Sequence, residues 1–252
     1  MLTTQRKQLI LQRLRQDGQI VAKALSEELG ISEDTVRRDL RELAAEGRLQ
    51  RVHGGALPAS AATADLQVRA ALAPDEKKAL GRAGAALIQP GQVVIMDGGT
   101  TSLQVVQHLP LTLHATVVTH SPTIAVALAG HTQIEVLMLG GRLFRHSMVN
   151  VGASVIEAAA WLHADLYLMG VTGVHAQVGL STGDFEEAAV KRALHQRAAE
   201  TVVLASADKL GAASPFTIAP LRDIAALVVP ASTPAPLRKK LQAGGVKVSV
   251  AA

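Results

Sequence analysis

The chain of 252 residues is long enough for two domains, one small and one of ordinary size. Its residues are 48% hydrophobic, which is enough to form a buried core. It contains no cysteine, so disulfide bonds and thiolate metal sites are excluded, and no apolar run reaches the roughly 18 residues that span a bilayer. The net charge of +4 permits nucleic-acid binding but does not require it. Because no signal peptide is recognisable either, we expect a soluble, cytoplasmic protein with no membrane partner.

The N-terminal part of the chain predicts three helices. Residues 4–16 are expected to form the first, and residues 21–29 a second that stops at Gly30. The third, over residues 33–46, follows Ser32, whose hydroxyl can accept a free N–H of the first turn. Two short helices joined by a tight glycine-containing turn are typical of a helix-turn-helix, whose second helix can lie in the major groove of DNA.

The third predicted helix has an apolar face and a basic face. Val36, Leu40 and Leu43 recur at spacings of four and three residues, so they share one side. The arginines lie elsewhere on the helix: Arg37, Arg38 and Arg41. A charged face is usually only a solvated surface, but its place after the tight turn favours DNA contact, because guanidinium groups bind guanine edges and phosphates.

A short basic stretch, Arg48–Leu57, contains a pair of glycines and predicts a hairpin, which would make the domain a winged helix-turn-helix. Its basic side chains would reach flanking phosphates, although His53 is equally well explained as an ordinary surface histidine. All five aromatic residues lie past residue 143, which argues against a base-stacking platform here. The residues assigned to the DNA-binding surface are Ser32, Glu33, Thr35, Val36, Arg37, Arg38, Arg41, Arg48, Arg51 and His53.

The N-terminal pattern resembles that of a known family. Arg6, Ile10 and Leu14 lie at four-residue steps, and the stretch SEDTVRRDL begins 18 residues after Leu14. This resembles the N-terminal signature of the DeoR family of bacterial transcriptional regulators. The resemblance implies that Arg37 and Arg38 belong to the DNA-reading helix. We expect Asp39 to have a structural role, since phosphate would repel its carboxylate.

The rest of the chain predicts a linker and a second domain. Residues 1–57 form the DNA-binding domain, residues 58–74 read as an alanine-rich, partly helical linker, and residues 75–252 form the larger domain. From Asp75 onward, short strands rich in Val, Leu and Ile alternate with helices. This alternation predicts an α/β fold with a parallel sheet covered on both faces, which would bind its ligand beyond the carboxyl ends of the strands.

The stretch DGGTTS, Asp97–Ser102, follows the first strand of this domain and opens a helix. Its glycines allow a ligand to approach the backbone, and hydroxyls and amides at a helix start favour an anion. The stretch is therefore a candidate phosphate cradle, although glycine-rich turns after strands are often only turns. Asp97 would repel phosphate, so it is assigned to sugar hydroxyls or to bonding within the loop. The stretch is neither a P-loop nor a dinucleotide-binding turn.

Polar residues and glycines follow the other strands as well. They are Thr119, His120, Gly140, Gly141, Asp184, Glu187, Lys191, Asp208 and Lys209. The stretch Gly179–Lys191 is predicted to be a loop that enters a helix. Lys191 and Lys209 are candidates to neutralise a phosphate. Each taken alone is better explained by a surface ion pair, but the whole set at the ligand edge of the sheet favours a site.

These motifs resemble the effector-sensing domain of the same family, which is similar in fold to ribose-5-phosphate isomerase. The resemblance implies a phosphorylated sugar as effector. By that resemblance, Gly98, Gly99, Thr100 and Thr101 would bind the phosphate, and Asp184, Glu187, Lys191, Asp208 and Lys209 would lie around the sugar. In this family the second strand commonly ends in Thr-Asn, whereas here it ends in Thr119-His120. His120 therefore indicates an effector different from that of the family members with Thr-Asn.

Together these features favour a DNA-binding regulator, expected to repress a carbohydrate catabolic operon under control of a phosphorylated sugar. Its partners would be a double-stranded DNA operator and further copies of itself, as a homodimer or homotetramer, because one recognition helix makes few base contacts. The alternative is a sugar-phosphate isomerase-like enzyme that carries a DNA-binding domain. No cofactor is expected, and no metal, since the histidines lack ligand spacing.

Overall fold

The computed structural model describes residues 2–60 and 66–251. The helices are α1 (Thr3–Asp17), α2 (Ala22–Leu29), α3 (Glu33–Ala45), α4 (Leu66–Ala71), α5 (Pro74–Ala85), α6 (Thr100–Gln107), α7 (Pro122–Ala127), α8 (Ala153–Ala159), α9 (Phe185–His195) and α10 (Ala235–Gln242). The strands are β1 (Ile20–Val21), β2 (Leu49–Val52), β3 (Gly55–Pro58), β4 (Val93–Met96), β5 (Ala115–Thr119), β6 (Ile134–Met138), β7 (Arg142–Phe144), β8 (Val149–Val151), β9 (Ala164–Met169), β10 (Gly173–His175), β11 (Gly179–Thr182), β12 (Ala198–Leu204), β13 (Phe216–Ala219), β14 (Ala226–Pro230) and β15 (Val248–Ala251). Among the described residues, no helix has the length and apolar character to cross a membrane.

The N-terminal domain packs α1, α2 and α3 against a small antiparallel sheet of order β1-β3-β2. Ile10, Leu25, Leu40 and Leu49 lie in its buried core, so all three helices and the hairpin share one apolar centre. The β2–β3 hairpin is the predicted wing. The expected winged helix-turn-helix is confirmed, with one addition: Ile20–Val21 pairs with β3 as a strand, and α2 begins only at Ala22.

The turn between α2 and α3 follows from its residues. Gly30 ends α2 in the left-handed region at φ 62°, where a side chain would be strained. The Ser32 hydroxyl then accepts the Thr35 N–H at 3.3 Å and caps α3, as predicted. Glu33 and Asp34 occupy the first turn, where negative charge complements the helix dipole. These contacts define where α2 ends and where α3 begins.

The larger domain is built on a seven-stranded parallel sheet of order β15-β14-β12-β9-β4-β5-β6. Successive side chains point to opposite faces, so Val94 and Met96 join one core while Ile95 joins the other. Helices α5, α6 and α7 cover the first face, and α8, α9 and α10 cover the second. The predicted doubly covered parallel sheet is therefore confirmed.

Two small antiparallel sheets were not predicted. Strands β7 and β8 form a hairpin, and β10, β11 and β13 form a three-stranded sheet beside the main one. The prediction of a loop over Gly179–Lys191 is therefore wrong at its start, because Gly179–Thr182 forms β11. Leu180 is the one large apolar residue of β11, and its other residues are small or polar although they are buried, so the strand shows no apolar alternation in the sequence.

The stretch 58–74, predicted as a partly helical linker, contains ordered elements. Pro58 ends β3, and Leu66–Ala71 forms α4. Residues 61–65 lie outside the described residues. Ser60 and Arg69 are both buried against the larger domain, so this stretch is anchored at these two residues.

Candidate DNA-binding surface and anion pocket

The two faces of α3 separate as predicted. Leu40 and Leu43 are buried in the domain core, while Arg37, Arg38 and Arg41 are exposed. Val36 had been assigned to the DNA-binding surface, and this is wrong because its side chain is fully buried in the same core. Val36 therefore holds α3 on the domain, and the arginines form the part of the helix that can enter a DNA groove.

The arginines of α3 are paired along the helix in the unbound protein. Arg37 contacts Glu33 at 2.7 Å, and Arg38 lies 3.8 Å from Asp34. Exposed pairs of this kind contribute little stability, so phosphates or bases can displace them at low cost. Glu33 thus lies at the predicted surface as a partner of Arg37, where it holds the guanidinium group beside the helix.

The wing supplies a second basic contact region. Arg48, Arg51 and His53 are all exposed on the β2–β3 hairpin or directly before it. Gly54, at φ 77°, allows the sharp turn that brings His53 to the tip. The structure therefore places Arg51 and His53 on the hairpin and Arg48 directly before it, so that all three basic side chains are exposed beside α3.

Asp39 lies behind the reading face. It is almost fully buried and accepts hydrogen bonds from the Arg6 guanidinium group, which joins α1 to α3. The prediction of a structural role for Asp39 is confirmed by this contact.

The larger domain has a polar pocket at the carboxyl ends of β4, β9 and β12. In the sheet order, the chain proceeds from β4 to β5 and β6 on one side, and returns to β9 on the other. The pocket thus lies at the point where the chain reverses its direction across the sheet. Open parallel sheets bind their ligands at such points, because the loops after the two central strands diverge there.

One wall of the pocket is the start of α6. It is lined by Gly98, Gly99, Thr100, Thr101 and Ser102. The first four of these are the residues expected to bind phosphate. Glycine at position 99 permits φ 124° at the helix cap. At Gly98, a Cβ atom would lie 2.4 Å from a Val149 methyl group. The free N–H groups of the first turn face a potential anion.

The Thr101 side chain at this wall has a hydrogen-bonding group that no described residue satisfies. Its hydroxyl oxygen is buried and has no hydrogen-bond partner among the described residues. Leaving such a group unsatisfied costs about 1–3 kcal/mol, so buried hydroxyls are normally bonded. A ligand oxygen in the pocket would satisfy it.

A second group of lining residues is basic. Arg69 on α4, Lys77 on α5 and Lys209 after β12 all line the pocket and are buried. The Arg69 guanidinium group donates to the His146 carbonyl at 3.3 Å, and the Lys77 ammonium group donates to the Arg69 carbonyl. The Lys209 ammonium group donates to the Ser206 hydroxyl at 3.1 Å. Neither lysine makes an ion pair with any residue that the structure describes.

The missing ion pairs affect both lysines. Burial lowers the pKa of Lys209 to about 8, with Asp208 only partly offsetting the effect. Burial likewise lowers the pKa of Lys77. A buried ammonium group without a carboxylate partner is unfavourable, and an anion in the pocket would relieve this cost.

Lys191 is different, because its charge is already balanced. It contacts the fully buried Asp97 and lies 3.4 Å from Glu187. Burial alone would raise the pKa of Asp97, but Lys191 and then His120 hold it well below its usual range. The same carboxylates keep the pKa of Lys191 above its ordinary value despite burial.

Asp97 is the centre of a satisfied network. Its carboxylate accepts hydrogen bonds from the Tyr167 hydroxyl at 3.0 Å, the Gly170 N–H at 3.0 Å and His120 at 2.8 Å. The other ring nitrogen of His120 faces the Asn150 carbonyl at 2.8 Å. Asp97 therefore bonds within the loops, one of the two predicted alternatives, and has no free position for a sugar hydroxyl.

Several residues assigned to the effector do not line the pocket: Asp97, Thr119, His120, Gly140, Gly141 and Asp184. Thr119 and His120 end β5, which lies beyond β4 and is covered there by the β7–β8 hairpin, so the Asn150 N–H bonds the His120 carbonyl. The two glycines follow the edge strand β6, farther still. Asp184 caps α9 by accepting the Glu187 N–H.

The remaining effector residues do meet there: Gly98, Gly99, Thr100, Thr101, Glu187, Lys191, Asp208 and Lys209. Sequence reasoning missed Arg69, Lys77, Ser147 and Thr172. Arg69 and Lys77 precede the sheet and belong to no strand-end motif, and Lys78 beside Lys77 is exposed. The one available signal was the spacing of Lys77, Leu80 and Gly81, which share the buried face of α5.

Comparison with known proteins places both domains. Residues 6–61 match the DeoR-like helix-turn-helix domain, and residues 72–230 match the DeoR C terminal sensor domain. The HTH-type transcriptional repressor GlcR of Bacillus subtilis is 34% identical over 87% of this chain and 85% of its own. The HTH-type transcriptional regulator GlpR of Haloferax volcanii is 30% identical over 98% of both chains. The glycerol-3-phosphate regulon repressor of Escherichia coli is 28% identical over 84% of each.

Among solved structures, ribose 5-phosphate isomerase A of Methanocaldococcus jannaschii aligns with 54% of each chain at 16% identity and a TM-score of 0.40. The full-length sorbitol operon regulator SorC of Klebsiella pneumoniae covers 82% of this chain and 91% of its own at 14% identity and a TM-score of 0.39. Likeness at this level transfers no function. The sequence relatives are named as regulators, so the isomerase-like alternative is set aside. The two domain matches and these relatives show that the chain belongs to the DeoR family of DNA-binding transcriptional regulators.

Proposed function

We propose that this regulator represses a carbohydrate catabolic operon from the cytoplasm, and that a small phosphorylated sugar bound in the anion pocket weakens its binding to operator DNA. The observation that carries the proposal is the charge of the pocket. Two buried lysines that lack ion-pair partners among the described residues line the same cavity as the start of α6. A relative named for a glycerol-3-phosphate regulon and another named as a repressor support this direction.

The pocket favours a phosphate ester over an unphosphorylated sugar. The first-turn N–H groups of α6, the Thr101 hydroxyl, Lys77 and Lys209 together offer donors and positive charge for a dianion. Glu187 and Asp208 line the same pocket and can accept hydrogen bonds from sugar hydroxyls. A phosphate at one end and a polyol at the other would therefore use both sets of groups.

We also propose a homodimer or homotetramer. A single α3 reads few base pairs, so a two-fold assembly on a palindromic operator would supply the missing contacts. The edge strand β6 supports such an assembly, since its Leu137 and Met138 side chains are 42% and 47% exposed. Analytical ultracentrifugation of the protein and of Leu137→Lys tests this, with loss of the larger species expected in the variant. A wild-type protein that stays monomeric up to micromolar concentration would contradict it.

The main test is operator binding by fluorescence anisotropy, with DNA from upstream of the protein's own gene and its neighbours. Glucose 6-phosphate, fructose 6-phosphate, ribose 5-phosphate, glycerol 3-phosphate and inorganic phosphate are titrated into the complex. We expect one ester to release the DNA, and glucose and ribose, added as unphosphorylated controls, to have no effect. Lys209→Gln should keep operator affinity and lose the response, whereas Lys239→Gln, an exposed lysine on α10, should retain both. Tight operator binding that no ester changes would overturn the assignment of the effector.

A further inference from the structure

The chain between the wing and the sheet forms part of the pocket wall. We call residues 58–60 and 66–77 the connector; they follow directly from the wing strand β3 and end on α5. Their side chains are not all at the surface: Ser60, Arg69 and Lys77 are buried. A segment that both enters the wing and touches the pocket is in a position to couple them.

The first part of the connector is fastened to the larger domain by its backbone. The Pro58 carbonyl accepts the Ala213 N–H at 3.3 Å, and Ala59 and Ala213 pair in a parallel β-bridge. Ser60 then donates its hydroxyl hydrogen to the Thr172 carbonyl. Pro58, the last residue of the wing, is therefore only two residues from Ser60, which bonds the pocket-lining residue Thr172.

Thr172 connects this contact to the pocket itself. It lines the cavity, its N–H donates to the Ser181 carbonyl at 3.0 Å, and its hydroxyl pairs with the Ser214 hydroxyl at 2.7 Å. Ser214 in turn donates its N–H to the Ser181 hydroxyl at 3.0 Å. Because these groups are buried and bonded to each other, a shift of Thr172 is transmitted to the carbonyl that holds Ser60.

The second part of the connector carries pocket groups directly. Arg69 on α4 and Lys77 on α5 face the cavity, and the Lys77 ammonium group bonds the Arg69 carbonyl. An anion that attracts both cations would compete for the Lys77 ammonium group and change how α4 is held. The first part of the connector thus bonds a residue that lines the pocket, and the second part lines the pocket itself.

We propose that the connector is the element through which an anion in the pocket changes the placement of the wing, and so the affinity for DNA. The proposal rests on the proposed function, since it needs an anionic effector. The bound state draws Arg69 and Lys77 toward the anion and alters the contacts of Ser60 and Ala59, which displaces β3. A ligand achieves this only if it binds the two connector arrangements with different affinities.

A disulfide across the bridge tests the proposal. The chain has no cysteine, so the double variant Ala59→Cys/Ala213→Cys offers a single possible intramolecular disulfide. Strands that pair as these residues do lie about 4.8 Å apart, within the Cα separation that a disulfide accepts. The oxidised form holds the connector on the sheet, and the reduced form of the same protein is its control.

The quantity to measure is the ratio of the Kd of the probe with and without saturating operator DNA. The probes are the most effective ester of the panel and inorganic phosphate, titrated by calorimetry. For wild type and for the reduced variant we expect a ratio of about 5 to 150, the usual range of coupling between two sites. For the oxidised variant we expect a ratio within about twofold of one, because a fixed connector presents the same pocket to the probe in both states.

A single substitution gives an independent measurement. Ser60→Ala removes the bond to the Thr172 carbonyl from a residue that does not line the pocket, and should change the ratio by about two- to tenfold. Thr201→Val is the matched control, because it removes a buried hydroxyl bond to His195 from the middle of β12, at a residue that does not line the pocket. A merely structural role of Ser60 would lower the Tm of both variants and leave both ratios unchanged.

The outcomes separate the two proposals. If no probe changes the operator affinity of the wild type, the proposed effector fails and the connector proposal fails with it. If the wild type responds and the oxidised variant responds equally, only the connector proposal is overturned. An oxidised variant that does not fold, judged by its circular dichroism, leaves the comparison of Ser60→Ala with Thr201→Val to decide.

Discussion

Arg6 on α1 and Asp39 on α3 form a two-pronged ion pair, with a second contact of 3.0 Å, directly behind the face of α3 that carries the arginines. Because both side chains are buried, the pair holds α3 against α1 from the side of the helix that faces the domain core. Asp39→Asn keeps the volume but leaves Arg6 with a weaker acceptor, and it should lower the free energy of unfolding by about 2–3 kcal/mol. Urea unfolding measures this.

The control for Asp39→Asn is Asp17→Asn, since Asp17 is exposed and lies 3.9 Å from Arg13. Its loss should change stability by less than about 0.5 kcal/mol. Equal effects of the two substitutions would show that the Arg6–Asp39 contact is not a stabilising one.

Arg38→Ala should weaken operator binding by about 1–3 kcal/mol if the guanidinium group binds a base edge. Its side chain is 62% exposed, so the substitution removes little packing. Arg222→Ala, an exposed arginine of the larger domain, removes the same charge without facing DNA. Anisotropy at several salt concentrations distinguishes the roles: a phosphate contact lowers the salt slope by about one, whereas a base contact relaxes sequence preference. Unchanged affinity would remove Arg38 from the interface.

Thr101→Val should have opposite effects on stability and on ligand binding. In the ligand-free protein it removes a buried hydroxyl that has no partner among the described residues, so stability should hold or rise by up to about 1 kcal/mol. In the complex it removes a donor to the phosphate, so affinity for the effector should fall by about fivefold. Thermal unfolding with and without ester measures both. Destabilisation of the free protein would mean that the hydroxyl is satisfied in solution.

Lys209 predicts how effector binding depends on pH. Because burial lowers the Lys209 pKa to about 8, the ammonium group loses its proton above this pH in the free protein. A bound dianion favours the charged form, so ester affinity should decline between about pH 7 and about pH 9, where the phosphate itself no longer titrates. Lys209→Gln should flatten this decline. An identical decline in Lys209→Gln would assign the titration to another group.

The same pKa affects the stability of the free protein, and the sign follows from the proton balance. Between about pH 8 and the ordinary lysine value of 10.5, the unfolded chain holds a proton on Lys209 that the folded chain has lost. The unfolded state then binds more protons, so this group makes stability rise with pH across that interval. Below about pH 8 its contribution is constant. Lys209→Gln should remove the rise.

The low pKa of Asp97 determines how the stability of the protein depends on acidic pH. Lys191 and His120 hold its folded pKa well below the usual value, so its contribution to stability is present above about pH 4 and lost as the pH falls further. Asp97→Asn should cost about 3–5 kcal/mol at neutral pH, because it leaves Lys191 buried without its main partner. It should also weaken the acid dependence. Asp75→Asn, at a fully exposed carboxylate, is the control and should change neither.

Much of this arrangement could be predicted from local patterns. The Arg37, Arg38 and Arg41 face of α3 follows from helical periodicity, and the first wall of the pocket follows from a glycine-rich turn after a strand. Both depend on residues that are close in sequence. The role of Asp39 could be predicted too, because a carboxylate on a DNA-reading helix requires a partner away from phosphate.

The errors concern which strand ends are covered and how deeply side chains are buried. His120 and Lys209 each follow a strand one place away from the β9–β4 reversal, but the β7–β8 hairpin covers His120, whereas Lys209 lines the pocket. Such cover depends on long-range packing that a short motif does not encode. Arg69 comes from a stretch with linker composition, and only its packing against the larger domain places it in the site.

The pocket at the reversal of the sheet is assembled from distant parts of the chain, and this has a consequence for its synthesis. Arg69 and Lys77 emerge from the ribosome early, the turn at Gly98–Ser102 follows, and Lys209 comes after the fifth strand of the sheet. The whole DNA-binding sequence is therefore translated long before the receptor is complete. A premature stop codon before Lys209 removes sensing without removing any residue of the reading helix or the wing, so nonsense mutations act on the two functions unequally.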